Sequence, residues 1–117
     1  MGLPVRYRLR RRAEIDRVRQ SGQRFDSGPF IMRTAPGASD AEHPRFVIVT
    51  SRRVGNAVVR NRARRVMREV IRKNLDALPH PLDVMIVVRT RFHNYSFAAL
   101  TEAFLCGCRR FAPPGNA

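Results

Sequence analysis

Between residues 56 and 74, Val59, Ala63, Val66, Met67, Val70 and Ile71 fall at i, i+4, i+7, i+8, i+11 and i+12. At helical period these side chains form one stripe, so the segment is expected as a helix lying on a core. Arg60, Arg64, Arg68 and Arg72 recur every four residues in the same stretch. With Arg65 and Asn61 they are expected on the side opposite the stripe. Only Glu69 offsets them, because residues 52–73 hold nine cations and one acid. Like charges four apart destabilise an isolated helix. Stacking several such pairs makes sense where an anion neutralises them, and solvated helix faces generally mix signs. The helix is therefore expected to give one face to the core and the other to nucleic acid.

The whole chain carries the same bias. Among 117 residues, 23 Lys and Arg stand against nine Asp and Glu, a net charge of +14. Such a surplus repels itself in the compact state, and a polyanion relieves it. Nucleic acid is the first partner class to consider and an anionic membrane the second. No apolar run approaches the ~20 residues of a membrane span. The basic first residues lack the apolar core of a secretory signal. Cys106 and Cys108 are the only cysteines. Two apart on an expected helix, they point to different sides and cannot bridge comfortably. A reducing cytoplasm is the compartment these features fit.

The remaining elements follow from periodicity and breakers. Residues 6–22 are very basic, with Ile15 and Val18 three apart, which predicts a short helix closed near Gly22. Residues 29–35 and 44–51 read as strands, the second continuous and β-branched as in a strand packed on both faces. Residues 36–43 are rich in Gly, Ser, Asp and Pro and read as a loop. Residues 82–88 form a third apolar run after the breaker Pro79-His80-Pro81. Ser96 is placed to cap a last helix with Phe97, Leu100, Phe104, Cys108 and Phe111 on one face. The expected order is α-β-β-α-β-α, an α+β fold in which one sheet is covered by helices as a two-layer α/β sandwich. One domain over residues 1–112 and a flexible tail over 113–117 are expected.

The entry to the central helix is the most specific stretch. Gly55 permits a tight turn, Asn56 is a good N-cap, and the first-turn N–H groups suit an anion. The run Gly55-Asn56-Ala57-Val58-Val59-Arg60-Asn61-Arg62-Ala63-Arg64-Arg65, placed after Arg52-Arg53, resembles the RNR motif of the bacterial ribonuclease P protein family. Arg8-Leu9-Arg10 through Gly22 is similar to that family's opening helix, residues 29–34 to its first strand, and residues 82–88 to its last.

The resemblance implies a function. The family's protein pairs with a large catalytic RNA that removes the 5′ leader from precursor tRNA. The RNA carries the active site and binds Mg2+ together with substrate, and the protein assists leader binding, metal affinity and RNA folding. The resemblance also implies a left-handed β-α-β crossover, against the usual hand, and a monomeric protein in a 1:1 complex with its RNA. Arg52, Arg53, Asn56, Arg60, Asn61, Arg62, Arg64, Arg65 and Arg68 are the implied contacts to the catalytic RNA. A cleft for the single-stranded leader is implied between the first helix and the sheet, at Ile15, Arg19, Ile31 and Arg33. Aromatic residues are common at such positions in the family. Here guanidinium planes, which can also stack on bases, stand in their place.

No catalytic constellation accompanies these cations. His43, His80 and His93 are scattered, no paired carboxylates or metalloprotease motif occurs, and Cys106-x-Cys108 has no second pair for zinc. No catalytic residue and no metal site is expected in the protein itself. A non-enzymatic RNA-binding protein of ribosomal type is the alternative, sharing the charge and the sandwich but not residues 55–65. A DNA-binding module reading a major groove is a third, and it lacks a helix-turn-helix partner before Asn56.

Overall fold

Four strands form one sheet in the order β1-β2-β4-β3 in the computed structural model, which describes residues 3–37, 43–78 and 81–111. Among these residues the strands are β1 (Gln23–Asp26), β2 (Phe30–Pro36), β3 (Arg45–Val49) and β4 (Leu82–Val88). The helices are α1 (Arg12–Ser21), α2 (Ala57–Arg72) and α3 (Phe97–Arg110). The fold is thus α+β in the expected order, with one strand more than the sequence suggested. The tail at 113–117, the middle of the 36–43 loop and Pro79-His80 lie outside the described residues.

β4 organises the sheet, running antiparallel to β2 and parallel to β3. Its alternate residues serve two different cores. Val84, Ile86 and Val88 join Phe30, Met32 and Phe46 beneath α2 and α3, against Met67, Val70, Ile71, Leu100 and Phe104. Met85 faces the other way, with Leu9, Ala35 and Val18 of α1. α2 and α3 therefore form the layer on one side of the sheet, while α1 lies across the reverse side on β2 and β4. The parallel β3–β4 pair makes β3–α2–β4 a crossover unit. No described helix is long and apolar enough to cross a membrane.

β1 was not foreseen because only Phe25 of its four residues is apolar, so no alternation announces it. Two things beyond the strand hold it. Ser27 N–H bonds to Phe30 O at 3.1 Å around the positive-φ Gly28, closing a tight hairpin onto β2. Phe25 also meets Phe111 edge-on, with ring centroids 6.5 Å apart. α3 reaches this corner because Gly107 lacks a side chain: a Cβ there would lie 2.2 Å from Met32 Sδ. Met32 is fully buried, so its thioether has to repack within the core to make room. Gly107→Ala is therefore expected to destabilise the fold by about 1–3 kcal/mol. An unchanged urea midpoint would show that Met32 has room to move.

The N-terminal segment also differs from expectation. The stretch similar to an opening helix from Arg8 is helical only from Arg12. Before that, Arg8 forms a parallel bridge with Phe46, and Leu9 N–H donates to Phe46 O at 2.7 Å. These residues cover the free edge of β3, which would otherwise expose a row of unpaired backbone groups. In α3, Leu100, Phe104 and Cys108 face the core as expected. Phe97 does not. It is 41% exposed, with the Lys73 ammonium 5.4 Å from its ring centre. Both thiols are free, and burial pushes that of Cys108 up to about 12, only slightly opposed by Arg109.

Candidate nucleic-acid interface

The approach to α2 is built from the backbone outward. Residues Arg52–Val54 make one 3-10 turn that leaves Arg52 and Arg53 exposed and buries Val54. Gly55 follows at φ 155°, a conformation that side chains resist. Asn56 then caps the helix, its Oδ1 accepting from Val59 N–H at 3.0 Å. A Cβ on Gly55 would also lie 2.6 Å from Val59 Cγ1. Gly55→Ala is expected to cost about 1–3 kcal/mol and to speed amide exchange in the first turn of α2. Unchanged protection there would count against this account of the turn. His93 braces the same turn: its Nε2 lies 3.2 Å from Val54 O. A carbonyl can only accept, so this contact is a hydrogen bond in the form that carries a proton on Nε2.

The arginines of α2 divide into rows. Four residues advance about 400° around a helix, so an i, i+4 series drifts about 40° at each step. The expectation that Arg60, Arg64, Arg68 and Arg72 all oppose the core is corrected accordingly. Arg60 lies nearest the core, and its Nε is buried without a hydrogen-bond partner. Arg64 and Arg68 are half-buried on one flank. Arg64 Nη1 donates to Thr50 Oγ1 at 2.5 Å, and Nη2 donates to Asn61 Oδ1. Partial burial, and then the charges of Arg8 and Arg64, weaken the hold of Arg68 on its proton. Asn61, Arg62 and Arg65 are exposed. Arg62 lines a cavity of about 280 Å³ with Tyr95 and Phe97 on the α3 side.

The single acid of α2 is already engaged. Glu69 accepts from Arg72, which holds its carboxyl below the usual range and raises the affinity of Arg72 for its own proton. Among the described residues Arg60, Arg62, Arg64, Arg65 and Arg68 have no acidic partner within ion-pair distance. The helix presents uncompensated guanidiniums on its outward face and along one flank.

The second group of expected residues lies on the α1 side of the sheet. Phe30 and Met32 are fully buried toward α2 and α3. Ile31 and Arg33, alternating with them, face the other way and are half-buried. Arg33 Nη1 reaches Arg19 O at 3.5 Å, a long contact. Arg19 extends its own guanidinium to Asp16 Oδ1 at 3.3 Å. Ile15 packs in the cluster that includes Val47, Val49 and Val87. The structure thus brings Arg19 and Arg33 together, with Ile15 and Ile31 on the same face.

Sequence reasoning missed the group that fixes α1 in place. Asp83, fully buried, accepts from Arg17 Nη2 at 2.5 Å and from Arg45 Nε and Nη2 at 3.1 Å each. Arg45 also meets Glu14 Oε2 at 2.8 Å, and Arg17 Nη1 donates to Pro36 O at 2.8 Å. Burial opposes the charge of Arg45, but Asp83 and Glu14 outweigh it and raise its proton affinity. The one available signal was an acid inside the otherwise apolar run Leu82-Asp83-Val84-Met85-Ile86. In an apolar strand a carboxylate demands a cationic partner.

Sheet, helical layer and acid-free guanidinium rows define a small basic α+β protein with a face suited to a polyanion. The family model described as Ribonuclease P matches residues 3–112, and the chain belongs to that family. The ribonuclease P protein component of Chloroflexus aggregans is 43% identical over 83 residues, 71% of this chain and 60% of that protein. That of Acidothermus cellulolyticus is 32% identical over 102 residues, 87% of this chain and 85% of that one. The matches span only about 60% of the length of the Chloroflexus relatives. Among solved structures, the RNase P protein of Thermotoga maritima superposes with a TM-score of 0.79 at 24% identity, covering 91% of this chain and 98% of that one. The RNase P protein of Staphylococcus aureus gives 0.73 at 22% identity, covering 84% and 88%. At these identities the likeness is one of fold.

Proposed function

We propose that this chain is the protein subunit of ribonuclease P, a cytoplasmic endoribonuclease that removes the 5′ leader from precursor tRNA with catalysis carried by an RNA subunit. Family membership supports the reading, and the observation that carries it is α2. Behind the Gly55-Asn56 entry stand five arginines that no acid of the described chain neutralises. Arg52, Arg53, Asn56, Arg60, Asn61, Arg62, Arg64, Arg65 and Arg68 are assigned to the catalytic RNA in a 1:1 complex. Among the described residues no three His, Cys, Asp or Glu side chains converge. The reading leaves Mg2+ mainly to the RNA subunit and substrate. What the chain supplies is positive charge placed beside two RNA strands.

The direct test is precursor-tRNA cleavage by the catalytic RNA at low magnesium, with and without this protein. The protein is expected to restore cleavage, and failure to do so where a known family member succeeds overturns the assignment. The leader surface has its own test. Arg19→Ala with Arg33→Ala should weaken binding of precursor tRNA bearing a leader several nucleotides long, leaving mature tRNA and assembly nearly unaffected. Equal weakening of leaderless and leader-bearing substrates would place the leader elsewhere.

A further inference from the structure

The basic segment ahead of α1 is not used by either surface assigned so far. We propose that residues 5–11, with the start of α1, form a separate phosphate-binding groove that holds the backbone of the catalytic RNA as a continuation of α2. The proposal rests on the reading of this chain as a ribonuclease P subunit.

The groove has a volume of about 460 Å³ and is lined by Arg6, Arg8, Arg10, Arg11, Glu14 and Arg45. Its one acid is spent on its own wall, since Glu14 binds Arg45, which is also held by Asp83. Arg6, Arg8, Arg10 and Arg11 have no acidic partner among the described residues. Four cations therefore face one concave surface with no acidic partner among the described residues.

The wall is fixed before any ligand arrives. Arg8 Nε donates to Leu3 O at 2.8 Å, and its backbone is bridged to Phe46 on the edge of the sheet. A groove made in advance spares an RNA the ordering of a loose tail.

Continuity identifies the partner. Arg8 and Arg10 also line a depression over β3 that Arg68 enters from α2. Arg68 is close enough to Arg8 for their repulsion to weaken its hold on a proton. The cations thus run from Arg64 and Arg68, across the covered edge of β3, into the groove. The leader surface at Arg19 and Arg33 lies at the other end of α1, and ten helical residues span about 15 Å. A strand crossing α2 meets the groove next, whereas a leader beside Arg19 and Arg33 has to pass the length of α1 to reach it. The groove's donors are guanidiniums, which fit phosphate oxygens, and Tyr7, the aromatic of this segment, already carries Arg6 5.1 Å from its ring centre.

The test uses the triple variant Arg6→Gln, Arg10→Gln, Arg11→Gln, whose side chains are exposed, and the full-length catalytic RNA. Each phosphate contact contributes roughly 0.7–0.9 to the slope of log affinity against log salt. The triple variant is expected to flatten that slope by about 2 and to leave the preference for leader-bearing over mature tRNA unchanged. The triple Lys variant at the same positions should restore the slope, which separates lost charge from lost folding. If Arg64→Gln with Arg68→Gln flattens the slope and the triple variant does not, the groove is wrong and the α2 assignment stands. If neither flattens it, both fail. A loss confined to leader-bearing substrate, or no rescue by lysine, also overturns the groove.

Discussion

Asp83→Ala is expected to destabilise the protein by about 3–5 kcal/mol, the range for removing one partner of a buried ion pair. The carboxylate is fully buried and takes hydrogen bonds from two guanidiniums. Without it, Arg45 keeps only Glu14 as a counter-charge among the described residues. The loss arises from leaving Arg45 under-compensated in a half-dry site more than from the attraction itself. The double change Asp83→Leu, Arg45→Met should therefore be less harmful than Asp83→Ala alone. Denaturant titration of the three proteins checks the order. A loss below about 1 kcal/mol for the alanine variant, the size of an exposed pair, would mean that water reaches the site. The same change removes a tie between α1 and the sheet, so binding at the proposed leader surface should fall although Asp83 hydrogen-bonds neither Arg19 nor Arg33.

The second large effect is in salt dependence. Arg64→Ala with Arg68→Ala should flatten log affinity for the catalytic RNA against log salt by about 1.5–2 units, close to one per lost phosphate contact. Glu69→Ala with Arg72→Ala is the matched control. That pair is already neutral as a unit, and its removal should leave the slope nearly unchanged. Equal slopes for wild type and the Arg64/Arg68 variant would move the RNA contact off this flank of α2.

Much of this is legible in the sequence. The stripe through Ala63, Met67, Val70 and Ile71 gave α2, because every member had to find a core and helical period was the only geometry that aligned them. Alternation in Phe30-Ile31-Met32-Arg33 correctly sorted the two faces of β2. What escaped had causes in tertiary structure. β1 has no apolar period and exists because a hairpin and Phe111 hold it. The segment at Arg8 is expected at the head of a helix by resemblance, yet pairs with Phe46 because an uncovered sheet edge competes for its backbone. The partial burial of Arg60 follows from the drift between a four-residue repeat and a 3.6-residue turn, which a simple i, i+4 count conceals. The network at Asp83 joins residues from α1, β3 and β4, so no local window contains it.

That network also sets an order of events during synthesis. Arg17 and Asp83 are 66 positions apart. At about 5–20 residues per second, the partner of Arg17 is made roughly 3–13 s after Arg17 itself. Leu9 and Arg8 likewise wait for Phe46. The segment around Arg8 and α1 is thus made well before the partners that settle it. Until β4 leaves the ribosome, its arginines trail as an unanchored cationic strand in a compartment crowded with ribosomal and transfer RNA.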